Sequence, residues 1–469
     1  MPSLGGEFEE YDAGESYLML PEFSDEAIAS IVSVAVSDRF RYLPELGKWM
    51  IYDGARWQED KTLEIERMVR KHCVNVARHI MDQADVPESK RQRLATDVCS
   101  VRKLRAVGHL ARSQRQLVTR VSDWDADPWT LNTPSGQVYL CTGEVLEHDP
   151  YRYHTRMTRV GPAGKKSPLW EKLLKQWTNG DDALAHYLQR FVGYALTGVI
   201  RDHVFLFLYG LGANGKSTFL NALREILGDY CVVAPMETFM QSGGDRHPTE
   251  LAMLRGARLV IAQEVERRRR WASARIKGLV GGDPVTARLM RQDFFTFEPN
   301  CKLILAGNHR PRLDSVDEAM RRRLQLVPFT ATIPKNERDP AIPDKLRAEY
   351  PGILRWAIEG CMKYLDNGLN APEVVTAATA EYFSNEDVLG QWVEEAVEQK
   401  KENFVRSRDL YTSYRQWASD RGEYVMSERE FVQTMEERGY IRGRESKSRI
   451  RGFKDVRLKL RKGDTSDLS

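Results

Sequence analysis

Three kinds of hydrophobic spacing divide the chain. Between Leu63 and Ala84, apolar or small residues such as Ile65, Val69, Val74, Val76 and Ile80 recur at roughly helical intervals, which predicts an amphipathic helix. Short strand-like pieces flank it: Trp49-Met-Ile-Tyr52 with Gly54 and Trp57, and Val138-Tyr-Leu140 before Thr142-Gly143. Together they predict a mixed α+β module over residues 28–160. The polar, turn-rich stretch Gly161–Pro168 predicts a linker, and Trp170 to about Gly198 a helical stretch. Val204-Phe-Leu-Phe-Leu-Tyr209 differs from all of these. It is a continuous apolar run ending at a glycine, as a parallel strand buried on both faces requires. Helix-like and strand-like segments then alternate up to Val327-Pro-Phe329, the α/β pattern of a parallel sheet with helical crossovers. Residues 340–400 read as mostly helical. A last unit, about 403–462, carries two or three helices and then a pair of basic strands, Arg449–Phe453 and Val456–Leu460.

The segment after the first apolar strand carries the chemistry. Gly210-Leu-Gly212-Ala213-Asn214-Gly215-Lys216-Ser217 fits G-x-x-x-x-G-K-[S/T] and leads, through Thr218, into a helical run. Its glycines let backbone N–H groups turn towards a pyrophosphate, and the helix N-terminus adds partial positive charge. Lys216 then reaches the β- and γ-phosphates of ATP while the Ser217 hydroxyl ligates Mg²⁺. Arg258-Leu-Val-Ile-Ala-Gln-Glu264 ends an apolar strand on a carboxylate. Glu264 is the candidate for polarising the attacking water and helping the Mg²⁺ shell, with Glu266 as an assistant. Lys302-Leu-Ile-Leu-Ala-Gly-Asn308 is a second such strand, and Asn308 is placed to sense the γ-phosphate or the lytic water. Arg321, Arg322 and Arg323 precede the closing strand. An arginine donated across a subunit boundary stabilises transition-state charge, and Arg322 and Arg323 are the candidates.

Charge alters the picture at both ends. The formal net charge of +3 spread over 469 residues does not by itself imply nucleic acid. Met1–Ala27 holds acids and no Lys or Arg, whereas Arg438–Lys462 is crowded with bases against Glu445 and Asp455. That asymmetry predicts a loose acidic tail over 1–27 and a C-terminal unit that meets a polyanion. Six scattered cysteines make no C-x-x-C pair, which argues against a zinc ribbon and a disulfide framework. No apolar run approaches the ~18 residues of a membrane helix, and no signal-peptide layout opens the chain, so a cytoplasmic location is expected.

The order of motifs resembles superfamily 3 helicases, and more closely the helicase part of phage and plasmid primase–helicases. The matching segments are Gly210–Thr218, Leu259–Glu266, Ile276-Lys277 to Asp283-Pro284, Leu303–Pro311, and Arg322–Leu324 leading to Val327–Phe329. Upstream, Leu131–Gly136 and Leu140–Glu144 resemble the module that precedes the helicase in this family. The resemblance implies an AAA+-like P-loop core over 201–335 and a helical collar for oligomerisation at 161–200, while the residues that follow read as a helical segment at 336–402 and a winged-helix DNA-binding domain at 403–462. It also implies a hexameric ring moving 3′ to 5′ on single-stranded or forked DNA, a host-cell cytoplasm, and a separate primase or polymerase as partner. Two departures stand out. Gln263-Glu264 replaces the paired acids common in such sites, and no primase catalytic site is evident. Asp125 and Asp127 imitate a metal-binding D-x-D pair but sit in Trp-Asp-Ala-Asp-Pro-Trp, which reads as ordinary family sequence.

Val285 to Phe297 alternates polar and apolar residues around Arg291-Gln-Asp, which predicts a hairpin. By the resemblance this hairpin tracks DNA in the ring channel, with Arg288 or Arg291 on phosphate, Phe294 against sugar or base, and Lys277 between channel and nucleotide. Arg267–Arg270 faces either DNA or an acidic neighbour. Ser427 with Glu430 predicts a capping box on the second C-terminal helix. Two other readings stay open: an origin-binding or loading ATPase, and a motor that packages or remodels duplex DNA.

Overall fold

The parallel strand predicted at Val204–Tyr209 lies inside a five-stranded, all-parallel sheet, second from one edge. The computed structural model describes residues 22–164, 166–241, 249–264, 269–290, 293–313, 317–445 and 450–459. Arg291, Glu266, Arg267, Arg268, Arg449 and most of the acidic tail lie outside the described residues. The sheet strands are β1 (Phe205–Tyr209), β2 (Cys231–Val233), β3 (Leu259–Gln263), β4 (Lys302–Gly307) and β5 (Leu324–Pro328), in the order β5-β1-β4-β3-β2.

The apolar runs are continuous because both sheet faces are covered. Leu206 and Leu208, Leu259 and Ile261, Ile304 and Ala306 point into one core, while Phe205 and Phe207, Val260 and Ala262, Leu303 and Leu305 point into the other. The first face is closed by helices Pro168–Trp177, Asp182–Ala195, Lys216–Leu227 and Tyr350–Asn367. Thus the segment expected as a collar packs into the same core as β1, split into two helices by a turn at Asn179-Gly180. The second face is closed by Trp271, helix Ser273–Gly281 and helix Glu373–Glu386.

The upstream module has a helical layer, Asp25–Val36, Glu64–Asp82, Glu88–Val98 and Val101–Ala111, with two small antiparallel sheets. Two buried cations sit at the amino ends of the large sheet, and one of them, Arg258, fixes the module to it. Arg258, just before β3, donates to Thr130 O at 2.9 Å and Leu196 O at 2.7 Å and lies over the Tyr230 ring. Lys302, the first residue of β4, donates to Thr197 O at 2.6 Å and Asn300 O at 3.1 Å. Burial, then the neighbouring Arg258, hold its ammonium well below the usual lysine range.

The C-terminal unit begins earlier than residue 403. Helix Val388–Ala396, strand Val397–Arg406, helices Ser407–Asp420 and Glu428–Glu437, and strands Arg442–Arg444 and Arg451–Leu458 share one core around Trp392, Tyr414 and Phe431. The charged run Val397–Arg406 reads as a helix tail but pairs as a strand. The two basic pieces expected as a pair form one strand, because Asp455 accommodates a bulge opposite Glu402 instead of turning. Ser427 caps its helix through Glu430 N at 3.3 Å, and the return bond of the capping box is not made.

Helices Asp182–Ala195 and Tyr350–Asn367 cross at Gly193 and Gly360. A Cβ on Gly193 would collide with the Cys361 backbone nitrogen, and one on Gly360 with the Gln189 carbonyl. Gly193→Ala is therefore expected to destabilise the fold by about 3 kcal/mol, as overpacking at a backbone contact does, measured by denaturant unfolding. An exposed Gly212→Ala, with no atom near its would-be Cβ, is expected to leave stability nearly unchanged.

Candidate nucleotide site

The loop after β1 bends tightly for local reasons. At Gly210 (φ 154°) a Cβ would strike the Phe329 carbonyl, and at Gly215 (φ 88°) it would enter the Trp177 indole. Trp177 in turn packs edge-on to Trp170 and Phe219, so the loop rests on an aromatic floor. Buried Asn214 ties the loop to the end of β5 by donating to Phe329 O at 2.7 Å. Ala213 (φ 61°) takes a left-handed conformation that costs an L-residue about 1–2 kcal/mol.

Lys216 opens the following helix, with Gly215 as an N-cap that offers no side-chain acceptor. The helix's first N–H groups and the Ser217 and Thr218 positions therefore face the loop without a protein cap. The Lys216 ammonium is nearly buried and donates to Gly210 O at 2.7 Å and Asn214 Oδ1 at 3.0 Å, with Asn308 Oδ1 at 3.5 Å. Burial lowers its pKa from the ordinary lysine value.

Parallel pairing brings the other candidates to this loop. Tyr209 of β1 is in register with Gly307 of β4, and Gln263 of β3 with Ala306. Asn308 and Glu264 are the next residues of their strands, so both emerge beside the loop. Both are exposed, and Glu264 N donates to Ala306 O at 3.1 Å. Glu264 has φ 69°, a second left-handed non-glycine residue in the site. Such outliers persist where the surrounding structure over-determines them. Gly210, Gly215, Ser217, Glu264 and Asn308 thus gather at the carboxyl ends of three neighbouring strands, where parallel sheets bind ligands.

The arginines separate. Arg323 is buried and donates to Ala319 O at 2.9 Å, so it is not presented to solvent. Arg322 is exposed. It precedes β5, whose Leu324 pairs with Phe205 at the far end of β1, so it lies across the sheet from Lys216 by roughly 16 Å of strand. A cation that spacing did not single out, Arg310, stacks its guanidinium 4.1 Å from the Tyr209 ring at the end of β1. Its signal in the sequence was only its place two residues after Asn308.

Strands Val285–Arg288 and Phe294–Phe297 form the expected antiparallel hairpin, with Arg288 opposite Phe294 and its guanidinium 4.8 Å from that ring. Phe294, Leu289 and Met290 are exposed, so the described part of the tip is more apolar than the arginines suggested. Phe295 lies under Arg255. Lys277 is not free: it pairs with Asp317 at 3.0 Å, the residue that caps the helix before Arg322. Arg270, the last residue of the basic run, stacks on Tyr424, and nearby Arg312 pairs with Glu423, so both face the C-terminal unit. Asp125 and Asp127 are loop fasteners. Asp125 accepts from Thr155 N at 2.8 Å, and Asp127 from Trp129 N at 2.9 Å. Among the described residues no cluster of His, Cys, Asp or Glu could hold a metal, and no helix is long and apolar enough to cross a membrane.

Comparison with known proteins adds three family matches in order along the chain. "D5 N terminal like" matches residues 28–179, a family of unknown function (DUF5906) residues 208–323, and "Poxvirus D5 protein-like" residues 384–453. A candidate helicase of Acanthamoeba polyphaga mimivirus (L207/L206) is 28% identical over 261 residues, 50% of this chain and 27% of that protein. A candidate helicase of Frog virus 3 (isolate Goorha), 022R, is 26% identical over 261 residues, 51% of this chain and again 27% of the relative. The chain thus matches about a quarter of the length of these relatives. The apo structure of the NrS-1 C-terminal region overlays with a TM-score of 0.49 at 10% identity, covering 91% of this chain and 98% of that one. Two D5 matches that bracket the nucleotide loop, joined by two viral relatives, support a D5-like primase–helicase family for this chain.

Proposed function

We propose that the chain is the motor of a viral, phage or mobile-element replication helicase: an ATP-dependent superfamily 3 enzyme that works as a hexameric ring and moves 3′ to 5′ on single-stranded DNA. The observation that carries this reading is the meeting of Lys216, Glu264 and Asn308 at one sheet edge, with exposed Arg322 at the other. Such a site is complete only when a neighbouring subunit supplies the arginine.

The loop suits a triphosphate on three grounds: two glycines where no Cβ fits, uncapped helix N–H groups, and a buried ammonium. Ser217 and Glu264 would hold Mg²⁺, which neutralises charge on the β- and γ-phosphates. Lys216 binds the phosphates, Glu264 orients and polarises the attacking water, and Asn308, within reach of Lys216, distinguishes the intact γ-phosphate. Arg322 of the next subunit stabilises the charge that develops in transfer. Hydrolysis around the ring then moves the Arg288–Phe294 hairpin along the strand. The helix–strand–helix–helix–strand–strand order from Val388 to Leu458 supports a winged-helix reading, and a groove there with Arg408, Arg429, Arg442 and Arg451 beside Glu428 and Glu436 suits phosphate contacts on the fork.

The decisive experiment compares ATP-driven separation of duplexes with a free 3′ or 5′ tail. Wild type is expected to open the 3′-tailed substrate, and Lys216→Ala neither. ATP hydrolysis without separation of either substrate would overturn the helicase reading in favour of a loading or remodelling ATPase. Glu264→Gln is expected to keep nucleotide binding and lose about 10²–10³-fold in turnover. Arg322→Ala mixed with Lys216→Ala is expected to recover activity that neither has alone, since some interfaces then pair an intact Lys216 with an intact Arg322. No recovery would refute the trans arginine. Because the pKa of Lys216 is depressed while a bound phosphate needs its cation, nucleotide binding at alkaline pH is expected to take up a proton. Calorimetry in buffers of different ionisation enthalpy reads this directly.

A further inference from the structure

The upstream helical layer carries a charge imbalance that the nucleotide site does not use. Residues 61–120 hold fourteen Lys and Arg against six Asp and Glu, interleaved with the apolar positions of the helices. On helix Glu64–Asp82, Arg67, Lys71 and Arg78 are spaced i, i+4 and i+11, which places them within about 40° of one another along roughly 16 Å of helix. Together with Arg39 and Arg70 they line one groove whose single carboxylate is Glu64. Arg67 pairs with Glu64 at 3.1 Å. Arg39, Arg70, Lys71 and Arg78 are exposed and have no carboxylate within ion-pair distance among the described residues.

A second groove flanks the same helix on another face, with Arg70 at the border between the two. It lies between that helix and helix Val101–Ala111 and adds Arg105, Arg112 and the half-buried Trp49. Two of the acids there are already engaged: Glu59 pairs with Lys48 at 2.9 Å, and Asp60 accepts from the Glu64 and Ile65 backbone N–H groups. Unneutralised cations cost self-repulsion, and a line of them along a concave surface matches a linear polyanion better than a compact anion. Arginines following a groove beside an aromatic ring are the means by which single strands are held without regard to sequence.

We propose that this double groove on the upstream module is a second nucleic-acid contact, holding the phosphate backbone of single-stranded DNA apart from the ATPase hairpin. The assignment rests on the helicase reading only in taking DNA as the polymer. The test uses the full chain and a fluorescein-labelled oligothymidylate, with binding followed by anisotropy across a salt series.

Arg70→Gln, Lys71→Gln and Arg78→Gln together are expected to make the slope of log K against log salt shallower by about 2, at about 0.7 per lost phosphate contact, and to weaken binding at least about tenfold. DNA-independent ATP hydrolysis and the melting temperature should stay at wild-type values. If the triple variant melts early, Lys71→Gln alone decides, with a slope change of about 0.7 expected. Wild-type slope and affinity in these variants would overturn the proposal. So would a labelled peptide of residues 1–21 binding the groove more tightly than the oligonucleotide, which would make the acidic segment the occupant. Lys216→Ala is expected to bind with the wild-type slope, so failure of the groove and failure of the ATPase reading are told apart.

Discussion

The insertion of β4 between β1 and β3, with all three strands parallel, is the constraint on which the rest depends. It brings residues far apart in the chain to one end of the sheet: Glu264 and Asn308 directly after their apolar strands, and Lys216 at the start of the helix after β1. Nothing local could hold them there. The strands stay in place because successive residues of β1, β3 and β4 bury alternately into two cores, so a slip by one residue would exchange the faces of every side chain. The loop is then pinned from below by Trp177 and from the side by Asn214 on Phe329 O.

The same sheet gives its two ends different work. The carboxyl ends hold the nucleotide loop, the exposed carboxylate and the amide. The amino ends are clamped to the upstream module through Arg258 and to the Thr197 turn through Lys302, and both charges are tolerated in the interior because backbone carbonyls and aromatic rings receive them. Arg156 extends that clamp by donating to the carbonyls of Asp229 and Arg255, and Arg255 lies over Phe295 of the hairpin. Upstream module, sheet and hairpin are thus in continuous contact, and the C-terminal unit joins through Arg312 and Glu423, close after Asn308 in the chain.

Individual positions mark the boundary between pattern and fold. The nucleotide loop was legible because its chemistry is local: glycines, a lysine and a helix start fall within a few residues of one strand. The hairpin was legible because alternation on both sides of a polar tip is also local. Val397–Arg406 was not, since its Lys- and Glu-rich sequence favours a helix in isolation and only pairing with Arg451–Leu458 makes it a strand. The upstream cationic grooves escaped notice for a related reason: their arginines are diluted among apolar residues along the chain and become neighbours only on a helix face.

By itself the sequence settled the glycine-rich loop between a strand and a helix, the strands that end in Glu264 and Asn308, and the family resemblance, because each is written in short-range spacing that any fold must respect. Tertiary structure alone decided that Arg322 is exposed and Arg323 buried, that Lys277 is held by Asp317, that Asp125 and Asp127 fasten loops, and that the expected collar helices share the sheet's own core. Those are questions of which partner lies within a few ångströms. Adjacent arginines on one short turn point in opposite directions, and only packing says which of them meets water.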